Sequence, residues 1–459
     1  MRKLRLYLTL WVAKTVSAAL RALRRNGSHL PGFVALRVMP DVLAALPKPG
    51  RIIVVTGTNG KTTTTNLLVD ALAHAGTPTV NNRTGSNTTA GVVSALVNGL
   101  TWGGRPKAQT AVLEMDERSA RRILPGLGPS LLVCTNLTRD SIKRNAHPEY
   151  IAWIMTSAIP ATTELILNGD DLIASGIGDG QVKHLFAVDH LPTDTTQPTG
   201  VARDVATCPR CDTLLTWDYW RFNHIGHPHC PACGFAPPPA EYRVTSVDQA
   251  SGRLMLDLAG RSLTVHMVHE ALVNVYNEIA VAAVLDRLGW TDDRISAVFE
   301  QLAVPSTRFN AQTVGDVTVV RQLTKGLVGV ACSRAFEHIM SYDGPKALVM
   351  NIDEVTDIEA DCENTCWTYD ADYEFLAAND SLRQVVVGGV RRYDQAVRLA
   401  IAGVDPSIIV TVPGERDTAD RVDLDGVSEV FNLHSVHNAI STGTYVQGRL
   451  VERLKGRAA

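Results

Sequence analysis

The sequence predicts an α/β fold with a larger sheet in the first two thirds of the chain and a smaller sheet near its end. From about residue 50 to about residue 170, apolar runs alternate with helical patterns, and the runs lack the polar alternation of a half-exposed strand. Such runs are typical of a parallel sheet that is covered on both faces. The alternation resumes at residue 317. Because 459 residues are too many for one ordinary domain, we expect a central α/β domain and a smaller C-terminal α/β domain.

The predicted elements follow in chain order. Candidate strands of the central domain are 52–56, 110–114, 130–135 and 163–167, and candidate helices are 61–75 and 148–159. Residues 241–268 have the pattern of a small antiparallel excursion, and residues 270–302 carry two helical patterns. Candidate C-terminal strands are 317–320, 346–351, 384–388 and 407–411, and candidate helices are 331–340, 390–402 and 436–447. The predicted domains are an N-terminal helical segment (1–49), a central domain (50–303, with an insertion at 205–236) and a C-terminal domain (304–459).

Composition narrows the class of protein. Apolar residues make up 45% and charged residues 20%, as in soluble proteins with a packed core. The net charge of −3 gives the chain no general attraction to nucleic acid or acidic lipid. Of the eight cysteines, four form two CxxC pairs, whereas Cys134, Cys332, Cys362 and Cys366 show no such spacing. This usage fits a reducing, cytoplasmic setting with one metal site better than a disulfide framework.

The first 25 residues, MRKLRLYLTLWVAKTVSAALRALRR, are basic and apolar. Lys14 interrupts the apolar run, which therefore falls short of the roughly 18 uncharged residues of a membrane-spanning helix. We favour an amphipathic helix that packs on the body of the protein. The alternatives are a helix that rests on the inner face of the plasma membrane, with Arg and Lys at the headgroups, and a cleaved signal peptide. No clear small-residue cleavage site precedes Arg21, which disfavours the last.

Residues 54–68, VVTGTNGKTTTTNLL, join a candidate strand to a candidate helix and have the composition of a phosphate-binding loop. The backbone N–H groups of a glycine-rich turn and of the following helix converge on one anion. Lys61 adds a positive charge near the terminal phosphates, and the Thr62 hydroxyl is placed to bind Mg²⁺. The general nucleotide loop has a glycine where this chain has Val55, so the motif is a shortened variant. The alternative is a glycine-rich turn that binds nothing.

The two CxxC pairs lie 18 residues apart and predict a structural metal site. Each pair directs two thiolates at one point, and four thiolates complete a tetrahedral Zn²⁺ site with no open position. The predicted ligands are Cys208, Cys211, Cys230 and Cys233. Replacement of a ligand by His224, His227 or His229 is the alternative. Because the module carries few basic residues, we expect it to stabilise a protrusion rather than to bind nucleic acid.

The shortened loop resembles the ATP loop of the Mur ligase family, which also includes the folylpolyglutamate synthases. AVLEMDE resembles the strand that ends in a Mg²⁺-binding glutamate, here Glu114, and NVYNEIAVAA resembles the helix whose second asparagine, here Asn277, contacts adenine. Such enzymes activate a carboxylate with ATP as an acyl phosphate, which an amine then attacks. The resemblance implies that Mg²⁺ is bound by Thr62 and Glu114. It implies that ATP is bound by Gly57, Thr58, Asn59, Gly60, Lys61, Thr62, Thr63, Asn277 and Arg308.

A zinc ribbon inserted in a Mur ligase central domain narrows the resemblance to the MurT family, the ligase subunits of lipid II isoglutaminyl synthases. Three segments carry it: RRNGSHLPGFVALRVMPDVL, TNLTRDSIKR and WTYDADYEFL. The resemblance covers about residues 26 to 450. It implies a cytoplasmic heterodimer with a GatD-type glutamine amidotransferase, which supplies ammonia for amidation of the D-isoglutamate α-carboxylate of lipid II at the inner membrane face. Consistently, this chain has no nucleophile elbow around any cysteine.

The implied catalytic residues are Lys61, Glu114 and Asp361, since an aspartate of this C-terminal region completes the partner's catalytic triad in the family. Here the chain departs from the family pattern: the aspartate of DGxDxSW that follows Asp361 is replaced by Asn364, which carries no charge. Departures also occur at Ser141-Ile142-Lys143 and at residues 325–329. The alternatives are a Mur-type ligase that adds an amino acid, a divergent ATP-binding paralogue without turnover, and a zinc-ribbon nucleic-acid binder.

Overall fold

The chain forms two compact units. The computed structural model describes residues 2–25, 27–83, 86–140, 147–197, 200–269, 271–303, 309–324, 328–352, 365–435 and 439–458. The first unit comprises Met1–Thr138, His147–Pro198 and Val205–Val304. The second unit comprises Arg139–Ala146, Thr199–Asp204 and Pro305–Ala459.

The first unit alternates helices with strands over most of its length. Its helices are α1 (Arg2–Ala22), α2 (Leu30–Val38), α3 (Val42–Ala45), α4 (Lys61–His74), α5 (Thr89–Asn98), α6 (Ala120–Leu127), α7 (Pro148–Thr156), α8 (Leu172–Gly176), α9 (Leu272–Arg287) and α10 (Asp292–Phe299). Its strands are β1 (Arg51–Thr56), β2 (Thr79–Asn81), β3 (Thr110–Glu114), β4 (Leu131–Cys134), β5 (Glu164–Asn168), β6 (Lys183–Val188), β7 (Thr216–Phe222), β8 (Ile225–His229), β9 (Tyr242–Asp248), β10 (Arg253–Leu258) and β11 (Arg261–His266).

Within the described residues, the main sheet of this unit has nine strands in the order β11-β10-β9-β6-β5-β4-β1-β3-β2. Across the sheet, every neighbouring pair from β2 through β3, β1, β4, β5 and β6 to β9 is parallel, whereas the β9–β10 and β10–β11 pairs are antiparallel. Separate buried apolar clusters cover the two faces, one with α5 and α6 and the other with α4 and α9. The predicted parallel sheet covered on both faces is therefore confirmed. The predicted antiparallel excursion forms as β9–β11, and it extends the main sheet rather than standing apart from it.

The second unit contains a smaller sheet. Its helices are α11 (Gly329–Met340), α12 (Arg392–Ile401), α13 (Thr418–Arg421) and α14 (Ala439–Ala458). Its strands are β12 (Phe309–Val314), β13 (Val317–Leu323), β14 (Lys346–Asn351), β15 (Leu382–Gly388), β16 (Ile409–Val412) and β17 (Glu429–His434). The order of these strands is β12-β13-β17-β14-β15-β16, and only the β12–β13 pair among them is antiparallel. The alternation of strands and helices that the sequence predicts for the C-terminal part of the chain is thereby confirmed. Strands β12 and β17 were not among the predicted strands.

The N-terminal residues form α1, as predicted, and the helix lies against the first unit. Lys14 is buried and its Nζ donates to the carbonyl of Leu100 at 2.5 Å. Ser17 donates to Oδ1 of Asn98 at 2.7 Å. Packing on the body of the protein, the interpretation favoured from the sequence, is therefore confirmed. Among the described helices, none combines the length and apolar content needed to cross a bilayer.

Candidate nucleotide-binding site

The loop after β1 needs glycine at two positions. The buried apolar strand ends at Thr56, and the next residue, Gly57, has φ = +128°. Gly60 precedes α4 with φ = +85°, in the left-handed region that glycine adopts without strain. A Cβ atom on Gly57 would lie 2.2 Å from Oγ1 of Thr135, and one on Gly60 would lie 2.2 Å from Oδ1 of Asn277. Glycine is therefore required at both positions, because the backbone has a positive φ angle and because the neighbouring side chain leaves no room for a Cβ atom.

The residues after β4 hold this loop in place. Asn136 makes two hydrogen bonds to Asn59: its Oδ1 accepts from the backbone N–H and its Nδ2 donates to the carbonyl, both at 3.0 Å. The Thr58 hydroxyl donates to the carbonyl of Thr138 and accepts from its N–H, also at 3.0 Å. The segment TNLT, one of those that carry the family resemblance, thus acts as a support for the loop.

The loop leads directly into the first turn of α4. The first N–H groups of a helix have no intrahelical partner and carry the positive end of the helix dipole. Lys61, Thr62 and Thr63 occupy this turn, which contains no acidic residue. Thr62 and Thr63 are partly exposed, so their N–H and hydroxyl groups can reach a ligand. The geometry is therefore that of an anion-binding helix N-terminus, as the sequence predicts.

The side chain of Lys61 folds back onto this loop. Its Nζ donates to the carbonyls of Gly57 and, at 3.1 Å, of Thr58, and it forms an ion pair with Oε1 of Glu117 at 2.7 Å. Glu117 is buried in the short 3₁₀ turn Glu117–Ser119, three residues after Glu114. Burial raises the pKa of Glu117, and the Lys61 charge opposes that rise. Sequence reasoning missed Glu117, although it is the second glutamate of AVLEMDE and follows Glu114 by three residues.

Glu114 lies where β3 ends, at the same edge of the sheet as the loop. It pairs with Val55 in the parallel register. Its Oε1 accepts from Nδ2 of Asn87 at 3.1 Å. The side chain of Asn82 accepts from the Glu114 backbone N–H at 2.8 Å and donates to the Glu114 carbonyl at 2.9 Å. The side chain is only partly buried. A carboxylate at this position, open to solvent on one side, is a suitable ligand for a hard divalent cation.

Asn277 is brought to the loop by α9. The side chain is buried, accepts from the Thr64 hydroxyl at 3.2 Å and donates to Oδ1 of Asn274 at 3.1 Å. It therefore contacts Gly60 and α4 and supports the start of the helix. The adenine contact that the family resemblance implies for Asn277 stays a prediction.

The four cysteines of the two CxxC pairs come together at one point. All four Sγ atoms lie within 4.8 Å of one another, and the Cys208–Cys233 and Cys211–Cys230 pairs are 3.6 and 3.5 Å apart. Backbone bonds of 2.8 Å, from Cys208 to Thr213 and from Cys230 to Phe235, close the two knuckles. A metal bound by four thiolates at about 2.3 Å sets the sulfurs about 3.8 Å apart. The cluster therefore fits a tetrahedral metal ion.

In the second unit, two segments that carry the family resemblance meet. Arg139 belongs to the first, and its Nη1 pairs with Oδ1 of Asp370, from the second, at 2.7 Å. The same guanidinium binds Oδ1 of Asp204 through Nε at 2.9 Å. This partly buried cluster was not predicted. Arg308 and Asp361 lie outside the described residues, so their assigned roles stay predictions.

Comparisons with known proteins agree with this geometry. A family model described as the Mur ligase middle domain matches residues 55–182, and one described as MurT ligase C-terminal matches residues 328–435. The solved structure of a pseudomurein peptide ligase type C from Methanothermus fervidus superposes with a TM-score of 0.66 at 16% identity, covering 92% of this chain and 81% of that one. The predicted α/β Mur ligase fold is confirmed.

Two relatives share most of their length with this chain. Both are named lipid II isoglutaminyl synthase (glutamine-hydrolysing) subunit MurT. The protein from Staphylococcus aureus strain N315 is 31% identical over 92% of this chain and 94% of its own length. The protein from Streptococcus pneumoniae strain ATCC BAA-255 / R6 is 29% identical over 82% of this chain and 83% of its own length. The resemblance read from the motifs is thus confirmed, and the chain belongs to the MurT family.

Proposed function

We propose that this chain is the ATP-dependent ligase subunit of a glutamine-hydrolysing lipid II isoglutaminyl synthase. The observation that carries the proposal is the supported glycine loop with Lys61 at the N-terminus of α4, in a chain that matches MurT subunits over nearly its whole length. In the proposed reaction, an oxygen of the D-isoglutamate α-carboxylate attacks the γ-phosphorus of ATP and ADP leaves. Ammonia then attacks the acyl carbon, phosphate leaves and an amide remains.

Different groups at the loop are proposed to bind the phosphates and the Mg²⁺ of the nucleotide. The N–H groups of the first turn of α4 and the Lys61 ammonium bind phosphate oxygens, and Thr62 with Glu114 binds Mg²⁺. Lys61 already lies at the loop, held by Glu117, so little side-chain ordering is required when a phosphate replaces the carbonyl contacts. Charge stabilisation of this kind is the main contribution of the protein to phosphoryl transfer.

The proposed metal of the cysteine cluster is Zn²⁺ in a structural role, because four thiolates leave no open position for a substrate. Elemental analysis of the purified chain should give about one zinc per chain. The double variant Cys208→Ser/Cys230→Ser should lose it and lose solubility, whereas Cys366→Ser, an exposed cysteine outside the cluster, should keep both. Equal zinc content in the two variants would contradict the assignment.

The proposed partner is a GatD-type glutaminase. An exposed apolar stripe on α12, formed by Tyr393, Val397 and Ile401 at helical spacing, supports a protein contact on the second unit. On the same helix, Nε of Arg398 donates to the carbonyl of Thr368 at 2.9 Å, so α12 lies beside the segment that follows Asp361 in the sequence.

Asp361 is proposed to orient the catalytic histidine of that partner. Asp361→Asn should then lower glutamine hydrolysis by the complex by about 10⁴-fold, as for a triad aspartate elsewhere, and leave ammonia-driven amidation intact. Equal loss of both activities would place Asp361 in the ligase site instead, and loss of neither would remove it from both sites.

The decisive test is amidation itself. The chain is co-expressed with a candidate glutaminase, and conversion of lipid II carboxylate to carboxamide is followed by mass spectrometry with and without ATP and glutamine. We expect dependence on both, and ammonium salts should replace glutamine. Transfer of an amino acid without glutamine would favour the alternative ligase, and ATP binding without product would favour a paralogue without turnover.

A further inference from the structure

Helix α1 turns a large apolar and aromatic face to solvent. Toward the first unit it buries Leu10 and Ala13, and with them the polar side chains of Thr9, Lys14 and Ser17. Outward it presents Leu4 and Leu8, whose exposed fractions are 76% and 54%. A surface helix normally carries polar and charged side chains on its outward face, whereas α1 carries large apolar ones there as well as on the core side. The outward face is therefore built for contact with something other than water.

The orientation of α1 is set by polar contacts that a rotated helix would lose. The Lys14 ammonium donates to the Leu100 carbonyl, and Ser17 donates to Asn98. Near the start of the helix, Arg5 donates to the carbonyl of Val38 through Nη2 at 2.7 Å. Turning the leucines inward would bring the buried Lys14 into water and break these bonds. The exposed apolar face is therefore a fixed feature of the fold.

The exposed face continues onto a neighbouring turn. Trp11 donates from Nε1 to the carbonyl of Trp102 at 3.0 Å, and both indoles are about half exposed. We call the group the N-terminal patch, and it consists of Leu4, Tyr7, Leu8, Trp11, Val12 and Trp102. Tryptophan and tyrosine are the side chains preferred at the boundary between hydrocarbon and water, because each has an apolar body and a polar atom.

The charge around the patch is predominantly positive, with Asp41 paired to Arg2 as an acidic neighbour. The first 40 residues contain no aspartate or glutamate, whereas the chain as a whole has a net charge of −3. Residues 2–25 carry seven basic side chains, of which all but Lys14 are exposed: Arg2, Lys3, Arg5, Lys14, Arg21, Arg24 and Arg25. An apolar, aromatic face with a basic surround is complementary to a surface of anionic lipids.

We propose that the N-terminal patch docks this protein on an anionic lipid bilayer, with α1 lying along the surface. The inference deepens the proposed function, since a lipid-linked substrate is reached at such a surface. It is tested without substrate, nucleotide or partner, so its failure is distinguishable from failure of the proposed function.

The experiment is co-sedimentation of the full chain with vesicles. Vesicles containing phosphatidylglycerol should retain the protein, pure phosphatidylcholine should retain much less, and added salt should weaken retention. Leu4→Ser/Leu8→Ser should lower the apparent affinity by about tenfold or more. The matched control is Val182→Ser/Met255→Ser, which removes two exposed apolar side chains outside the patch (60% and 45% exposed) and should bind as the unchanged protein does.

A second variant separates the charge contribution from the apolar one. Lys3→Glu/Arg24→Glu should weaken binding to phosphatidylglycerol vesicles and remove most of its salt dependence. Because all four substituted side chains of the two patch variants are exposed, thermal unfolding midpoints should stay within about 2 °C of the unchanged protein. Absence of binding to anionic vesicles, or unchanged binding by Leu4→Ser/Leu8→Ser, would overturn the proposal. Loss of self-association or partner association in that variant, with vesicle binding intact, would also overturn it and assign the patch to a protein.

Discussion

Two buried charged clusters lie at the carboxyl edge of the same parallel sheet. They differ in how many carboxylates and other acceptors surround the cation of each cluster. At the end of β1, Lys61 meets one carboxylate, that of Glu117, and two loop carbonyls beside the open first turn of α4. At the end of β5, Arg221 is enclosed. It pairs with Asp170 at 3.0 Å and with Asp194 at 2.7 Å, and Tyr276 bonds to both Arg221 and Asp170.

Every nitrogen of the Arg221 guanidinium has an acceptor, including the carbonyls of Val188 and Asp189 at 3.0 Å. Burial and the Asp170 carboxylate raise the pKa of Tyr276 well above its usual value, so the phenol stays protonated and donates to Asp170. This cluster fixes the hairpin β7–β8 of the cysteine module to the sheet. The comparison shows that buried charge alone does not mark a reactive site. The Lys61 cluster differs in lying beside the first N–H groups of α4, which have no partner within the helix.

The largest effect is expected at the enclosed cluster. Arg221→Met should lower the free energy of unfolding by about 3–5 kcal/mol, because Asp170 and Asp194 are left buried without a cation. Arg243→Met is the control, since Arg243 pairs with Asp189 and Asp257 at a partly exposed site, and it should cost about 1 kcal/mol or less. Urea unfolding measures both, and similar losses for the two variants would erase the distinction between the clusters.

Lys61→Ala tests the other cluster and should act on turnover rather than on the fold. The loss of a charge aimed at the transferred phosphoryl group should lower the rate of ATP-dependent amidation by about 100- to 1,000-fold or more. Lys183→Ala removes an exposed lysine from the same unit and should leave the rate unchanged. Near-normal turnover of Lys61→Ala at saturating ATP would disprove the site assignment.

Glu117→Gln should show a smaller effect that depends on nucleotide. Without nucleotide, the variant should lose about 1–3 kcal/mol of unfolding free energy, because the Lys61 ammonium loses its buried counter-ion. Saturating ADP and Mg²⁺ should reduce this deficit, since phosphate oxygens then bind the ammonium. Glu149→Gln, at an exposed position, is the control. A deficit that is equal with and without nucleotide would mean that Glu117 has no link to ligand binding.

A pH-dependent effect is expected at a further buried carboxyl, that of Glu278, which pairs with no cation among the described residues. Burial raises the pKa of Glu278 to about 8, against the N–H groups of Val268 and His269 that donate to it. Between the unfolded pKa of 4.5 and about 8, the unfolded chain releases this proton and the folded chain keeps it. Stability should therefore fall as pH rises through this window, by up to about 1.4 kcal/mol per pH unit, and level off above it.

Glu278→Gln should flatten that dependence, because an amide does not titrate. The measurement is the free energy of unfolding at about pH 5.5 and at about pH 7.5 for both proteins, because both values lie inside this window. A slope in Glu278→Gln equal to that of the unchanged protein would assign the pH dependence to other groups.

What the sequence by itself determined is local in the chain. The glycines, the lysine and the threonine hydroxyl of the phosphate-binding loop all lie within the six residues from Gly57 to Thr62. The loop could therefore be predicted from this short stretch alone. Each CxxC knuckle is likewise closed by its own backbone, and only the meeting of the two pairs had to be inferred from their number. The strands of both sheets were readable because a buried parallel strand is apolar throughout.

What only the tertiary structure decided involves partners far apart in sequence. Glu117 lies 56 residues from Lys61, and Arg221 lies 51 from Asp170, so nothing in either segment identifies its counter-ion among many acidic residues. Likewise, the apolar pattern of α1 predicts a helix, yet it is the hydrogen bond from Lys14 to Leu100 that decides which face meets water. The periodicity of apolar residues specifies that the helix has an apolar face. Its direction depends on contacts that form only when distant strands and helices have assembled.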